Sequence, residues 1–243
     1  MLSSSHTFAI VVPARRGSTR FPSKPLAPLG GQTLIECVLD RLGQFCPIER
    51  LFLATDDEEI AAKAVGKAQV VMTPSELPSG TDRCQYAVRE AQIKADIIIN
   101  AQGDEPFVAE TQLQALLDLF DHPDTQIGTL ACPCESDEVQ NPNAVKVVRN
   151  SDGFALYFSR SPIPFNRNQT EVQHWRHLGL YAFLSNCLSE IAQLTPSPLE
   201  MAESLEQLRW LENGYSIRVA NVQTQGLSID TPEDLEKAQS MWI

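Results

Sequence analysis

The first hundred residues alternate between short apolar runs and helix-forming segments, and this alternation is the strongest constraint on the fold. Apolar, β-rich runs lie at residues 8–12, 51–54, 69–72 and 96–101. Helical apolar spacing or composition follows at residues 32–45, 57–67 and 81–94, with Thr55 or Asp56 as a candidate cap of the second helix. Continuous apolar runs are typical of strands buried on both faces. The pattern therefore predicts an α/β fold with a parallel sheet and helices on both faces.

The pattern changes after about residue 126, where proline-bearing loops separate further strands. Strands are predicted at residues 127–132, 144–148, 154–158, 177–183 and 215–222. A helix is predicted over residues 198–213, closed by Gly214, with Met201 and Trp210 in the core. A last helix begins at Thr231-Pro232 and covers residues 232–241. Since no hydrophilic linker or repeat divides the chain, we expect a single domain over residues 1–243 with an elaborated second half.

Composition excludes several classes of protein. The chain has 243 residues, 43 % of them apolar and 21 % charged, which argues against general disorder. A net charge of −12 argues against non-specific nucleic-acid binding. No apolar run approaches the ~20 residues of a membrane span, and residues 1–7 do not resemble a secretory signal. Six cysteines without a signal favour a reduced, cytoplasmic setting, and Cys132-Pro133-Cys134 lacks zinc-site spacing.

A basic island stands at the start of this acidic chain. Arg15, Arg16, Arg20 and Lys24 occur before the first acidic residue, Glu36. The island follows a predicted buried strand, and ligands of open α/β sheets bind beyond the carboxyl ends of strands. Guanidinium groups and loop N–H groups there would suit a phosphate. The alternative is a solvated basic loop that balances an acidic surface.

Two common nucleotide-binding motifs are missing from the sequence. The GxxxxGK motif followed by Ser or Thr is absent, and so is the GxGxxG fingerprint. Their absence disfavours a P-loop NTPase and an NAD-dependent dehydrogenase.

Two aspartates are candidate magnesium ligands. Asp104 follows the predicted strand at residues 96–101, and Asp230 follows another extended run. Carboxylate oxygens suit Mg²⁺, a hard cation, so two carboxylates from distant segments would be able to share one ion. The alternatives are a turn-forming role for Asp104 and a helix-capping role for Asp230.

Nine collinear blocks carry a family resemblance. They lie at residues 13–26, 54–56, 79–83, 102–106, 141–146, 155–160, 177–181, 205–209 and 230–235. In this order, the blocks resemble the CMP-Kdo synthetases, the 3-deoxy-manno-octulosonate (Kdo) cytidylyltransferase family. The resemblance covers residues 8 to about 238, although residues 165–175 share little with longer members.

The resemblance implies a fold, a reaction and residue roles. It implies a nucleotidyltransferase, Rossmann-like, mixed but mainly parallel sheet. The reaction would activate Kdo with CTP, with Mg²⁺ as cofactor, for lipopolysaccharide biosynthesis in the cytoplasm. Residues of roughly 127–200 would contribute sugar-binding elements and join a homodimer. The nucleotide would be bound by Ala14, Arg15, Arg20, Lys24, Ser79, Gly80, Thr81 and Arg83. The sugar would be bound by Gln102, Arg160, His177, Tyr181, Glu206 and Gln207. Asp104 and Asp230 would hold Mg²⁺, and the catalytic set would be Arg15, Lys24, Asp104 and Asp230.

Three other functions stay open at this point. The sugar substrate would be the 8-amino analogue of Kdo in some relatives. Another nucleotide-sugar pyrophosphorylase, making CMP-sialic acid or a UDP- or GDP-sugar, is a second alternative. A nucleotide-binding module without turnover is the third, and the presence of Lys24 and both aspartates disfavours it.

Overall fold

A computed structural model describes residues 1–17, 21–223 and 226–242. The chain divides into two compact units, one of residues 1–113 with 226–243 and one of residues 114–225. The prediction of a single domain over residues 1–243 stays a prediction.

Strands and helices alternate along the chain. The strands are β1 (Phe8–Ala14), β2 (Pro28–Leu29), β3 (Gln32–Thr33), β4 (Leu51–Thr55), β5 (Gln69–Met72), β6 (Ile97–Asn100), β7 (Ile127–Pro133), β8 (Lys146–Arg149), β9 (Ala155–Ser159), β10 (Trp175–Leu184) and β11 (Ile217–Asn221). The helices are α1 (Leu34–Gly43), α2 (Glu58–Lys63), α3 (Gly80–Glu90), α4 (Glu110–Asp118), α5 (Ser185–Ile191), α6 (Pro198–Glu203), α7 (Gln207–Glu212) and α8 (Pro232–Met241).

The first unit is built on a parallel sheet in the order β6-β1-β4-β5. Every residue of β1 is buried, as its continuous apolar sequence predicts. The register pairs Val11 with Asn100 and Ala14 with Thr55, so the carboxyl ends of β1, β4 and β6 lie along one edge. The predicted parallel arrangement of these strands is confirmed.

Side-chain caps fix where the helices of the first unit begin. Asp57 caps α2, because its carboxylate accepts hydrogen bonds from the backbone N–H groups of Glu59 and Ile60 at 3.0 Å each. The prediction of Thr55 or Asp56 as this cap is therefore wrong. Thr231 forms a capping box at the start of α8, which begins at Pro232 as predicted.

The second unit has a mixed sheet. Strand β7 pairs in parallel with β11 and antiparallel with β10, and β8 pairs antiparallel with both β10 and β9. The change from parallel to mixed pairing agrees with the change in sequence pattern after about residue 126. Together with the parallel sheet of the first unit, it confirms the mixed α/β fold class.

Strand β10 is interrupted by a bulge in its pairing with β7. Leu178 lies opposite Leu130, but the next paired residue, Tyr181, lies opposite Thr129. Two residues of β10 therefore have no counterpart in β7. A bulge of this kind redirects side chains and is over-represented beside active sites.

The predicted helix over residues 198–213 is two helices, α6 and α7, so that prediction is wrong. Ser204 separates them with a φ of 52°, in the left-handed region that ends an α-helix. Met201 is 66 % exposed, so its prediction as a core residue is wrong, whereas Trp210 is buried as predicted.

No helix in the described ranges is long and apolar enough to span a bilayer.

The left-handed conformation of Ser204 predicts how substitutions there affect stability. Ser204→Gly should raise the free energy of unfolding slightly or leave it unchanged, because glycine adopts positive φ without a steric cost. Ser204→Val should lower it by about 1–2 kcal/mol, because a β-branched residue is strained at positive φ. Urea denaturation of both variants measures the difference, and equal stability of the two would contradict this assignment.

Candidate active site

The residues predicted to bind a nucleotide surround one cavity in the first unit. The cavity has a volume of about 270 Å³ and lies where β1 and β6 end. Its lining includes nine of the predicted residues, namely Ala14, Arg15, Lys24, Ser79, Gly80, Arg83, Gln102, Asp104 and Asp230. Thr81 is buried on α3 outside this lining. Arg20 lies outside the described residues.

Lys24 is bonded to both candidate magnesium ligands. Its Nζ lies 2.5 Å from Asp104 Oδ2 and 3.3 Å from Asp230 Oδ1. The Lys24 side chain is 14 % exposed, so this contact is largely shielded from solvent. The two carboxylates, 126 positions apart in the chain, therefore meet at one ammonium group.

The backbone holds these two aspartates together independently of the lysine. The Ile229 N–H donates to the Asp104 carbonyl at 2.9 Å, which links the loop after β6 to the segment before α8. Gly103 allows the loop after β6 to approach β1, because a Cβ on Gly103 would lie 3.0 Å from the Pro13 carbonyl oxygen. A side chain at position 103 would push Asp104 away from the end of β1.

The amino end of α3 faces the same cavity. Ser79 caps this helix by accepting from the Asp82 N–H at 3.0 Å, and Gly80 is its first residue. The amino end of a helix of this length attracts anions, because the helix dipole places partial positive charge there. This placement agrees with the phosphate site predicted from the sequence.

Arg83 projects from α3 to the cavity, and hydrogen bonds to two side chains hold its guanidinium in place. Its guanidinium donates to Thr73 Oγ1 and, at 3.2 Å, to Asp56 Oδ2. Burial lowers the pKa of Arg83, while Asp56 opposes that shift and Arg15 adds to it. From the sequence, Asp56 had only a candidate capping role and Thr73 had none, although the block at residues 54–56 was a signal for the contact with Arg83.

The two arginines that follow β1 have different surroundings. Arg16 forms ion pairs with Asp57 at 2.9 Å and Glu59 at 3.0 Å, at the start of α2. Arg15 is exposed in the cavity and has no ion-pair partner among the residues that the structure describes. Among the described residues of the basic island, Arg15 therefore differs from Arg16 and Lys24 in having no carboxylate beside its charge.

Several residues predicted to bind the sugar meet in the second unit. The His177 ring packs against Phe158, with a centroid distance of 4.9 Å, and against Tyr181 at 5.3 Å. The removal of the ring from water lowers the pKa of His177 to about 3, and Arg176 adds to the shift. His177 is therefore neutral at physiological pH.

The Tyr181 hydroxyl is a buried polar group. It has no hydrogen bond to any described residue, although only 8 % of Tyr181 is exposed. Burial raises the pKa of Tyr181 well above its usual value, and the charge of Glu206 raises it further. An unpaired buried hydroxyl costs about 1–3 kcal/mol, so a hydrogen bond from water or from a bound molecule would stabilise it.

Two residues predicted to bind the sugar, Arg160 and Gln207, are engaged within the protein itself. The Arg160 guanidinium donates to three main-chain carbonyls, those of Glu203 at 2.7 Å, Pro142 at 3.0 Å and Ser204 at 3.3 Å. It thereby caps the carboxyl end of α6. Gln207 is buried at the start of α7. Gln102 lies in the first unit, where its amide donates to Asn100 Oδ1 at 3.3 Å.

The site has the donor chemistry of a magnesium centre. Asp104 and Asp230 both place a carboxylate oxygen against one cation, the Lys24 ammonium, so their negative charges already converge on a single point. Hard oxygen donors of this kind suit Mg²⁺. Among the described residues, no group of three or more His, Cys, Asp or Glu side chains is arranged to hold a metal, so any ion here would take further ligands from substrate or water.

A parallel sheet with cations and paired carboxylates at its carboxyl edge is the arrangement of an α/β enzyme that binds a phosphorylated ligand. Comparison with known proteins identifies the family. The chain belongs to the cytidylyltransferase family, whose model matches residues 9–218.

The similar proteins are named for one particular enzyme. The chain is 47 % identical over 244 residues to the 3-deoxy-manno-octulosonate cytidylyltransferase of Bacteroides thetaiotaomicron, with 96 % of each protein covered. It is 44 % identical over 243 residues to that of Cytophaga hutchinsonii, covering 96 % of this chain and 97 % of the relative. A solved CMP:2-keto-3-deoxy-manno-octonic acid synthetase complexed with CTP superposes with a TM-score of 0.91 at 38 % identity, covering 97 % of this chain and 98 % of that one. The family resemblance seen in the sequence is confirmed.

The environment of His177 predicts how stability depends on pH. The unfolded chain binds a proton at His177 near pH 6.5, whereas the folded protein does so near pH 3. Between these values the unfolded state holds more protons, so the free energy of unfolding should decrease as the pH falls from about 6.5 towards 3. Urea denaturation over this range should show a shallower pH dependence in His177→Gln than in the wild type. An identical slope would show that His177 is not held neutral.

Proposed function

We propose that the protein transfers the cytidylyl group of CTP to Kdo, giving CMP-Kdo and pyrophosphate. The names of the relatives support this reaction, as does the CTP in the solved neighbour. The observation that carries the proposal is the cavity itself, where Lys24 joins Asp104 and Asp230 beside Arg15.

The first unit suits the triphosphate of CTP better than any other part of the two substrates. Arg15 offers an exposed guanidinium, Lys24 an ammonium group and α3 its amino end, all facing one cavity. Guanidinium groups bind phosphate oxygens through two parallel hydrogen bonds, and helix amino ends favour anions. The amino end of α3 is fixed before the substrate arrives, so little reorganisation of these donors accompanies binding.

Mg²⁺ is the expected cofactor of this reaction. Asp104 and Asp230 would hold it, and the ion would supply charge neutralisation at the phosphates and acidify the attacking hydroxyl. The convergence of their carboxylates on one cationic nitrogen supports this assignment.

The chemical step is a displacement at the α-phosphorus. The anomeric hydroxyl oxygen of Kdo forms a bond to this phosphorus, the bond to the pyrophosphate oxygen breaks, and the hydroxyl proton is lost. Nucleophile, α-phosphate and leaving group are all anionic or become so, and the sugar carboxylate is close to the reacting oxygen. Catalysis therefore consists mainly of positioning and charge neutralisation. Lys24 and Arg15 stabilise the charge that develops on the leaving pyrophosphate.

The second unit supplies neutral groups that suit a sugar with many hydroxyls. The Tyr181 hydroxyl, which has no hydrogen bond within the described part of the chain, and the neutral His177 ring offer hydrogen bonds without a charge. The nearby Glu206 would accept from sugar hydroxyls. Arg160 would retain N–H groups for the Kdo carboxylate, because the main-chain carbonyls that it contacts do not use all of its donors.

The setting of the reaction follows from its substrates. CTP is an intracellular metabolite, and the six free cysteines suit a reducing compartment, so we place the reaction in the cytoplasm. CMP-Kdo is an activated sugar for lipopolysaccharide biosynthesis.

A substrate screen tests the proposal. The protein is incubated with Mg²⁺, one of CTP, UTP or GTP, and one of Kdo, 8-amino-Kdo or sialic acid. Pyrophosphate release and the mass of the product are measured. The proposal expects release with CTP and Kdo and a CMP-Kdo product. Preference for UTP, GTP or sialic acid would contradict it, and CTP binding without pyrophosphate release would identify a binding module.

Charge-removing substitutions test the catalytic assignment. Lys24→Met and Asp104→Asn should each lower kcat by about 10²-fold or more, the usual effect of removing one preorganised charged contact. Lys67→Met is the matched control, because Lys67 also pairs with a carboxylate, Asp40, at 2.6 Å but lies outside the cavity lining. Steady-state kinetics should place the control within threefold of the wild type. Activity of either cavity variant within tenfold of the wild type would reject its assignment.

A homodimer formed through the second unit is part of the proposal. Large apolar side chains are exposed there, with Leu156 61 %, Phe165 84 % and Met201 66 % accessible. A second copy of the chain would cover them. Sedimentation equilibrium should give twice the 26.9 kDa mass of one chain, and Leu156→Asp combined with Met201→Asp should shift the protein towards monomer. A monomeric wild type at micromolar concentration would contradict the dimer.

A further inference from the structure

Thr129 touches three groups that belong to the proposed sugar-binding residues and to the bulge beside them. The Thr129 side chain is fully buried on β7. Its Oγ1 lies 3.0 Å from His177 Nε2, 2.8 Å from the Leu180 carbonyl oxygen and 3.2 Å from the Leu178 carbonyl oxygen. Neither the family motifs nor the sequence analysis assigns a role to Thr129.

The direction of the hydrogen bonds at the Thr129 hydroxyl determines which ring nitrogen of His177 carries the proton. A threonine hydroxyl has a single proton, and a carbonyl oxygen can only accept. The closest contact, to Leu180, takes that proton, so the hydroxyl oxygen accepts from His177. Nε2 therefore carries the ring proton, and Nδ1 of the neutral imidazole is an acceptor.

The same hydroxyl holds the bulge of β10 in place. Leu178 and Leu180 flank the point where the pairing with β7 shifts, and Thr129 lies opposite Tyr181 after the shift. Four residues of regular strand would separate His177 and Tyr181 by about 13 Å. In the bulge their ring centroids are 5.3 Å apart. By binding both bulge carbonyls, Thr129 supports the turn of the strand that brings these two rings together.

We propose that Thr129 is a positioning residue for the acid sugar. Its hydroxyl fixes His177 in the Nε2–H tautomer beside Tyr181, which leaves Nδ1 to accept a hydrogen bond from a sugar hydroxyl. This inference rests on the proposed function, because it assigns His177 to the sugar. His177 Nδ1 has no hydrogen-bond partner within the described parts of the chain, and His177 retains some exposed surface.

Two variants of Thr129 distinguish the effect of its hydroxyl from the effect of its side-chain shape. Thr129→Val keeps the branched shape and removes the hydroxyl, whereas Thr129→Ser keeps the hydroxyl. Thr129→Val should raise the KM for Kdo about tenfold, the effect of one lost hydrogen bond, and leave kcat and the KM for CTP within threefold of the wild type. Thr129→Ser should stay within threefold of the wild type on all three parameters. A merely structural role would raise both KM values together or lower kcat.

The tautomer is measured directly by long-range ¹H–¹⁵N NMR of His177 in the wild type and in Thr129→Val. The wild type should show protonated Nε2 and unprotonated Nδ1, and Thr129→Val should show a mixture of the two tautomers. Protonated Nδ1 in the wild type would overturn the inference even if the valine variant did not fold, and so would an unchanged KM for Kdo in a folded valine variant. Because the spectrum needs no turnover, failure of the proposed reaction is recognised separately, as the absence of pyrophosphate release by the wild type.

Discussion

The ammonium group of Lys24 between Asp104 and Asp230 is the interaction on which the site depends. In a chain of net charge −12, two carboxylates at one partly buried point repel each other unless a cation stands between them. Lys24 supplies that cation, and it comes from the segment that follows the central strand β1. The backbone bond from Ile229 to the Asp104 carbonyl and the close approach of Gly103 to Pro13 hold the two acidic segments in place. The charged contact therefore rests on the parallel pairing of β1 with β6.

The two units present different chemistry. In the first, charge dominates, with arginine, lysine and aspartate side chains around one cavity that suits a triphosphate. In the second, two of the groups assigned to the sugar are neutral, because burial keeps His177 deprotonated and Tyr181 protonated. A polyphosphate requires charges that are fixed in advance, whereas a sugar is distinguished by directed hydrogen bonds. The basic island was visible in the sequence as a charge pattern, whereas His177 and Tyr181 were assigned only through the family resemblance.

Much of the fold was predictable because it depends on local patterns. The buried strands β1, β4 and β6 have continuous apolar sequences, and Thr231-Pro232 marks the start of α8. The split between α6 and α7 was not predictable, because Ser204 adopts a left-handed conformation while Arg160, 44 positions earlier, binds the carbonyls at that end of α6. Helices α4 and α5 were not predicted. In the site, the position of Asp104 after a strand was readable, whereas the contact of Thr129 with His177 depends on a bulge in the strand pairing that no local pattern shows.

The most direct test of the central claim is a calorimetric titration of CTP in the presence and absence of Mg²⁺. It compares the wild type with the double variant Asp104→Asn/Asp230→Asn. If these carboxylates hold the ion beside the triphosphate, Mg²⁺ should tighten CTP binding to the wild type by about tenfold or more and change the affinity of the double variant by less than about threefold. An equal effect of Mg²⁺ on both proteins would contradict the account, because the ion would then be bound without the two aspartates that converge on Lys24.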